Sequence, residues 1–222
     1  MTTSRLSRST DRQPRPVGAR PWRMGVWMTA ALLAACASQL PPLIWLRLPA
    51  EAPAHALGPQ GATAVVPNPS TGANAHTWQL MSPVSLPGHL DHDALLVPQG
   101  SAGLQPLAGA RWAEPLRDAV PRLLRQDVAR RLAQPLWTAP LPPGVRPDRQ
   151  LRLDIDTLDV APDGRSVHLR AHWSLADVNG RSPPQLHEAA FVVPGTGADA
   201  DALVLAHRQA LWLLAGRIAA TL

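Results

Sequence analysis

The sequence predicts an α+β domain, a mainly antiparallel β-sheet with two α-helices packed on one face. Three observations carry this. Residues 113–132 and 203–222 repeat apolar side chains at helical spacing. Between them, 151–158 and 167–175 alternate apolar and polar residues, as half-buried strands do. The order of strands, helix, antiparallel strands and helix segregates the helices, so both are free to cover one face of the sheet.

Ahead of the domain stands an export signal. Residues 1–23 carry Arg5, Arg8, Arg12, Arg15, Arg20 and Arg23 against one acid, Asp11. The uncharged run 24–35 follows and ends at Cys36, the only Cys in the 222 residues. A basic region, a short apolar region and a small-residue cleavage site make a secretory signal peptide, here 1–35. Leu33-Ala34-Ala35-Cys36 matches the bacterial lipobox, in which the Cys thiol receives a diacylglyceryl group. Cleavage then leaves that Cys, also N-acylated, as the first mature residue. Small residues precede it because the lipidating enzyme and the peptidase must both reach a narrow backbone. A single membrane span is the competing reading, but Ser38, Gln39 and Pro41-Pro42 interrupt the uncharged stretch. The following residue is Ala37, and in Gram-negative lipoproteins an Ala there, unlike an Asp, usually lets the product be sorted outward. The expected location is the outer membrane, facing the periplasm. One acyl chain anchors only marginally, whereas the two or three of a mature lipoprotein hold for good.

Along the mature chain, 43–48 is a short apolar run suited to a strand near the anchor. Residues 51–75 are rich in Pro, Gly and Ala with almost no periodic apolar positions, and read as a flexible loop. Residues 36–76 thus form a lipid-anchored N-terminal segment, and 77–222 the domain proper. Residues 77–85 are strand-like but crossed by Pro83, which predicts an edge or a bulge. Two further short strands fall at 94–97 and 104–107. The first helix, 113–132, places Leu116, Val120, Leu124, Val128 and Leu132 on one stripe, widened by Leu123. Pro115 suits its first turn, and Pro121 inside the pattern predicts a kink or a late start. Arg117, Arg122, Arg125, Arg130 and Arg131 lie on this helix interleaved with Asp118 and Asp127, which reads as a solvated face. After the Pro-rich 140–147, the two alternating runs form a hairpin around Pro162-Asp163-Gly164. Asn179-Gly180 turns the chain into a returning strand at 188–193. Asp199 or Asp201 caps the last helix, whose apolar face takes Leu203, Ala206, Ala210, Leu211, Leu214, Ile218 and Leu222.

Little catalytic chemistry can be assembled from these residues. With its one Cys acylated the chain retains no thiol nucleophile. Gly-x-Ser-x-Gly and phosphate-binding Gly loops are missing, and Gly195-Thr196-Gly197 lacks the Lys of a P-loop. His89, Asp91, His92 and Asp93 crowd together but read as a turn after a strand. His168 and His172 share one side of a strand and read as a surface stripe. No catalytic residue, metal ligand or cofactor is expected beyond the lipid on Cys36. The sequence pI near 11.2 suggests a nucleic-acid partner at first sight. Cleavage removes six of the 21 basic groups and one of the 16 acidic ones, leaving fifteen of each. The mature domain is formally neutral, and no nucleic-acid partner is expected.

Three stretches carry a family resemblance. Residues 82–91, beginning Ser82-Pro83-Val84, resemble a "PVxxPgyLdr" strand and turn. Arg111-Trp112-Ala113-Glu114-Pro115-Leu116 resembles the "RWAEPL" that opens the first helix, and 203–219 resemble a closing helix. The family is the PqiC/YmbA-like group, the ABC-type transport auxiliary lipoproteins of Gram-negative bacteria. His89 departs from its usual Tyr, and 51–76 is longer than its usual connection. The resemblance implies an outer-membrane lipoprotein serving an MCE-domain system that moves lipid between the two membranes. Its partners would be an MCE-domain protein anchored in the inner membrane and, through Cys36, outer-membrane lipid. Docking as a homo-oligomeric ring is one form this could take. Trp112 would bury beside Pro115 and fix the start of the helix, while Arg111 and Glu114 pair locally or face a partner. An envelope lipoprotein that binds or assembles an outer-membrane protein, without handling lipid, is the alternative function.

Overall fold

The computed structural model describes residues 42–53 and 76–222. Leu33, Ala34, Ala35, Cys36, Ala37 and residues 54–75, expected to be a loop, lie outside the described residues. Along the chain run β1 (Ile44–Leu46), β2 (Trp78–Leu80), a 3-10 turn (Gly88–Leu90), β3 (Ala94–Gln99) and β4 (Gly103–Trp112). Then come α1 (Leu116–Leu132), β5 (Leu136–Trp137), β6 (Arg149–Val160), β7 (Ser166–Asp177), β8 (Gln185–Pro194) and α2 (Ala200–Ala219). The class is α+β, with mostly antiparallel pairing.

The strands divide into two sheets, ordered β5-β2-β6-β7-β8 and β1-β4-β3. The antiparallel β6–β7–β8 meander follows the alternation in the sequence. Leu151, Leu153, Ile155, Leu158 and Val160 of β6 are buried, and a register shift between Ile155 and Thr157 absorbs the break in their spacing. At the β6–β7 turn the Asp163 carboxylate accepts from Arg165 N, Ser166 N and Ser166 Oγ. These donors, the two backbone N–H groups foremost, hold its pKa down at about 2. The pairs β1–β4, β2–β5 and β2–β6 are parallel. Strands of two or three residues carry no alternation, so the sequence held nothing to name their partners.

Pro83 breaks an interior strand rather than marking an edge. β2 lies between β5 and β6, ends before the cis Ser82–Pro83 bond, and resumes as one bridge from Ser85 to Asp154. The first helix starts three residues later than its apolar pattern suggested. Strand pairing holds the chain through Trp112, whose N–H donates to Asp93 O, while Ala113 N–H donates to Leu46 O. Pro115 is the N-cap, and its carbonyl accepts from Asp118 and Ala119. Pro121 stays within α1, which closes on Ala133 at φ 54°. Asp199 caps α2 by accepting from Ala202 N.

The core lies where both helices meet the sheet. Leu116, Val120, Leu123, Leu124 and Val128 of α1 are buried there with Leu203, Leu211, Leu214 and Ile218 of α2. The arginines of α1 are mostly paired at home: Arg117 with Asp91, Arg122 with Glu114, and Arg130 with Asp127.

Candidate functional site

At the centre of the helix–helix contact lies a buried ion pair. Arg208 NH1 and NH2 donate to the two carboxylate oxygens of Asp127 at 2.6 and 2.9 Å. Its Nε donates to the Pro49 carbonyl at 2.7 Å, so one side chain ties α1, α2 and the segment after β1 together. Burial pushes the Asp127 carboxyl up, and the Arg208 bonds and charge pull it back part of the way. Beside the pair, Arg131 lies 4.1 Å from the Trp212 ring centroid and donates to the Trp212 carbonyl.

The motif residues sit on the other side of α2. Trp112, the last residue of β4, is buried and meets His207 of α2 edge-on, with ring centroids 5.9 Å apart at 74°. The His207 Nδ1–H donates to Leu203 O at 2.7 Å, and burial depresses its pKa. Trp112 thus packs the end of β4 against the second helix. Arg111 is partly exposed, with its Nε 3.6 Å from an Asp93 oxygen and NH1 donating to Ala110 O. Glu114 is engaged by Arg122, and Pro115 caps α1.

The remaining polar candidates form separate surface pairs. His89 Nε2 bonds Asp159, and His172 lies 3.2 Å from Asp156 and 3.6 Å from Asp154. His92 Nδ1 accepts from Ala94 N. Among the described residues no three His, Cys, Asp or Glu side chains converge as metal ligands.

One apolar groove stands out. It has a volume of about 500 Å³ and runs between the end of β8, the exposed side of α2 and the chain at 49–53. Pro49, Pro53, Val192, Leu205, Ala206 and Leu213 line it, with Arg208 and Gln209 at its polar margin. Gln209 Oε1 is shielded from solvent and has no hydrogen-bond partner among the described residues. A hollow of about 480 Å³ beneath Ile44, Trp45 and Val204 adjoins it through Pro49 and Glu51. Size and lining suit an apolar ligand. Gly195 shapes the rim, since a Cβ there would come within 2.6 Å of Arg165 O.

Sequence reasoning missed Arg208, Gln209 and the groove. The available signal was a run of three polar residues, 207–209, in the middle of a mostly apolar helix. The burial of Arg208 depended on a partner 81 positions away.

The architecture defines a small α+β domain whose first strand is built in from the N-terminal side. The family model for the ABC-type transport auxiliary lipoprotein component matches residues 59–219, and the chain belongs to that family. It is a family of transport auxiliary lipoproteins rather than a known enzyme family. No curated protein matches the sequence. Among solved structures, one uncharacterized protein aligns with a TM-score of 0.56 at 16% identity, over 65% of this chain and 91% of that one. A protein from Xanthomonas campestris, of the family model DUF330, aligns with a TM-score of 0.50 at 17% identity, over 65% and 81%. At such identities the likeness shows the fold.

Proposed function

We propose that this transport auxiliary lipoprotein is the outer-membrane docking component of an MCE-type intermembrane lipid transport system. Acylated at Cys36 and sorted outward by Ala37, it faces the periplasm and receives an MCE-domain conduit anchored in the inner membrane. The family match over 59–219 is the observation that carries this reading. The groove supports it, because a protein at the end of a lipid path needs apolar surface next to its anchored segment. The partly exposed Arg111 and the Arg122-bound Glu114 are candidate partner contacts, while Trp112 and Pro115 hold the elements that present them.

The test is a pull-down of the mature protein from detergent-solubilised membranes, with lipid analysis of the eluate. Co-purification of an MCE-domain protein is expected. Recovery of an outer-membrane protein instead, with no MCE partner, overturns the reading in favour of an envelope assembly role. Arg111→Ala is expected to weaken capture without lowering the melting temperature. A fall in melting temperature with undiminished capture would make Arg111 a fold residue.

A further inference from the structure

Leu43, Ile44 and Trp45 are three consecutive apolar residues at 56%, 54% and 62% exposure, although they open an otherwise packed segment. The very next residue, Leu46, is buried, as is Leu48. β1 is the outer strand of its sheet, so this strip also borders a free strand edge among the described residues. An exposed apolar run on an edge strand is a liability unless something covers it.

Chain length limits what can cover it. Leu43 lies seven positions after Cys36, and a fully extended chain spans at most about 3.6 Å per residue. Leu43 therefore lies within about 25 Å of the acylated Cys, and Trp45 within about 32 Å. A tether of that length keeps the bilayer within reach of the strip. Its chemistry suits that place: Trp favours the membrane–water interface, and the exposed Arg47 shares the Trp45 side of β1, where its stem can reach headgroup phosphates. The surface on one side of the strip is uncharged, whereas on the other Glu51, Asp199 and Asp201 line the hollow that Ile44 and Trp45 share. The β3–β4 hairpin carries no charged residue from Ala94 to Ala110, and β1 pairs in parallel with its second strand from Ile44↔Ala110.

From the exposed strip, the tether length and the uncharged hairpin, we infer that Leu43, Ile44 and Trp45 form a second membrane anchor. They seat in the interfacial layer of the bilayer that holds the Cys36 acyl chains and fix the orientation of the domain on it. The inference rests on the acylation of Cys36 proposed above.

The native sequence allows a clean test, because acylation consumes its only thiol. Ile44→Cys and Leu43→Cys in the lipidated full-length product each present one reactive thiol at an exposed site. Leu186→Cys, on β8 and 80% exposed, is the control. Each is labelled with an environment-sensitive fluorophore and reconstituted into phosphatidylethanolamine/phosphatidylglycerol vesicles containing nitroxide-labelled lipid. Quenching of at least twofold at positions 43 and 44, and little at 186, is expected. No quenching at 43 and 44 in vesicle-bound protein overturns the inference. So does an apolar emission there that nitroxide lipid leaves untouched, which would mean that protein, such as a second copy, covers the strip. Labelling of the protein without any introduced Cys would show a free Cys36. That outcome removes the lipoprotein premise, and is distinguishable from failure of the strip alone.

Discussion

Asp127 and Arg208 place two charges where only a few per cent of either side chain meets solvent. Removing one partner leaves the other buried and unpaired, so Asp127→Ala is expected to cost about 3–5 kcal/mol. Replacing both by apolar residues of similar size, Asp127→Leu with Arg208→Met, should return most of that loss. Urea denaturation of the two variants checks it, and a double variant no more stable than the single one would contradict it. His207 makes a prediction about pH. Its folded pKa lies below the ordinary value because burial disfavours the charged ring, so the unfolded chain binds the proton more readily. Stability is then full above about pH 6.5 and falls as pH drops toward the folded pKa. His207→Phe keeps a ring against Trp112 and should flatten that part of the stability–pH curve. An unchanged slope would show that other groups cause it.

At the scale of elements, α1 shows how a helix can be readable in its stripe and misleading at its ends. The four-residue spacing from Leu116 to Leu132 identified the buried face, and every position of it from 116 to 128 is in the core. Its start was set by strand pairing, which holds residues 110–112 extended against β1, and by Pro115, which disfavours helical backbone at Glu114. Its end rests on Ala133 in the left-handed region, where a Cβ is unfavourable. Ala133→Gly is accordingly expected to stabilise the protein by about 1 kcal/mol, seen as a higher urea midpoint with unchanged slope. The β6–β7 hairpin behaved differently: its twelve-residue strands alternate long enough to define both inward faces, and the Asp163 turn fixes their pairing. The three-residue strands had to be placed by the rest of the fold.

For the whole molecule, the anchor and the domain make one prediction together. Cys36→Ala removes the proposed site of acylation and, with it, the proposed cleavage signal. The variant is expected to accumulate as uncleaved precursor in the inner membrane, read by membrane fractionation and intact mass. Unchanged outer-membrane fractionation would contradict the lipid anchor. Charge also belongs to this scale, since the basic excess resides in residues 1–35 and residues 36–222 carry equal numbers of basic and acidic groups. By itself the sequence determined the α+β class, the apolar stripes of the two helices, the long hairpin and the family resemblance, while it misplaced Asp127 on a solvated face. Each of these is local, expressed by periodicity, turn residues or a contiguous motif. Only the tertiary structure decided that the strands form two sheets, that Arg208 reaches Asp127 and Pro49, and that a groove opens between β8, α2 and the chain after β1. Those features join residues far apart in sequence, and their partners are chosen by how the packed core brings surfaces together, a choice that no local pattern records.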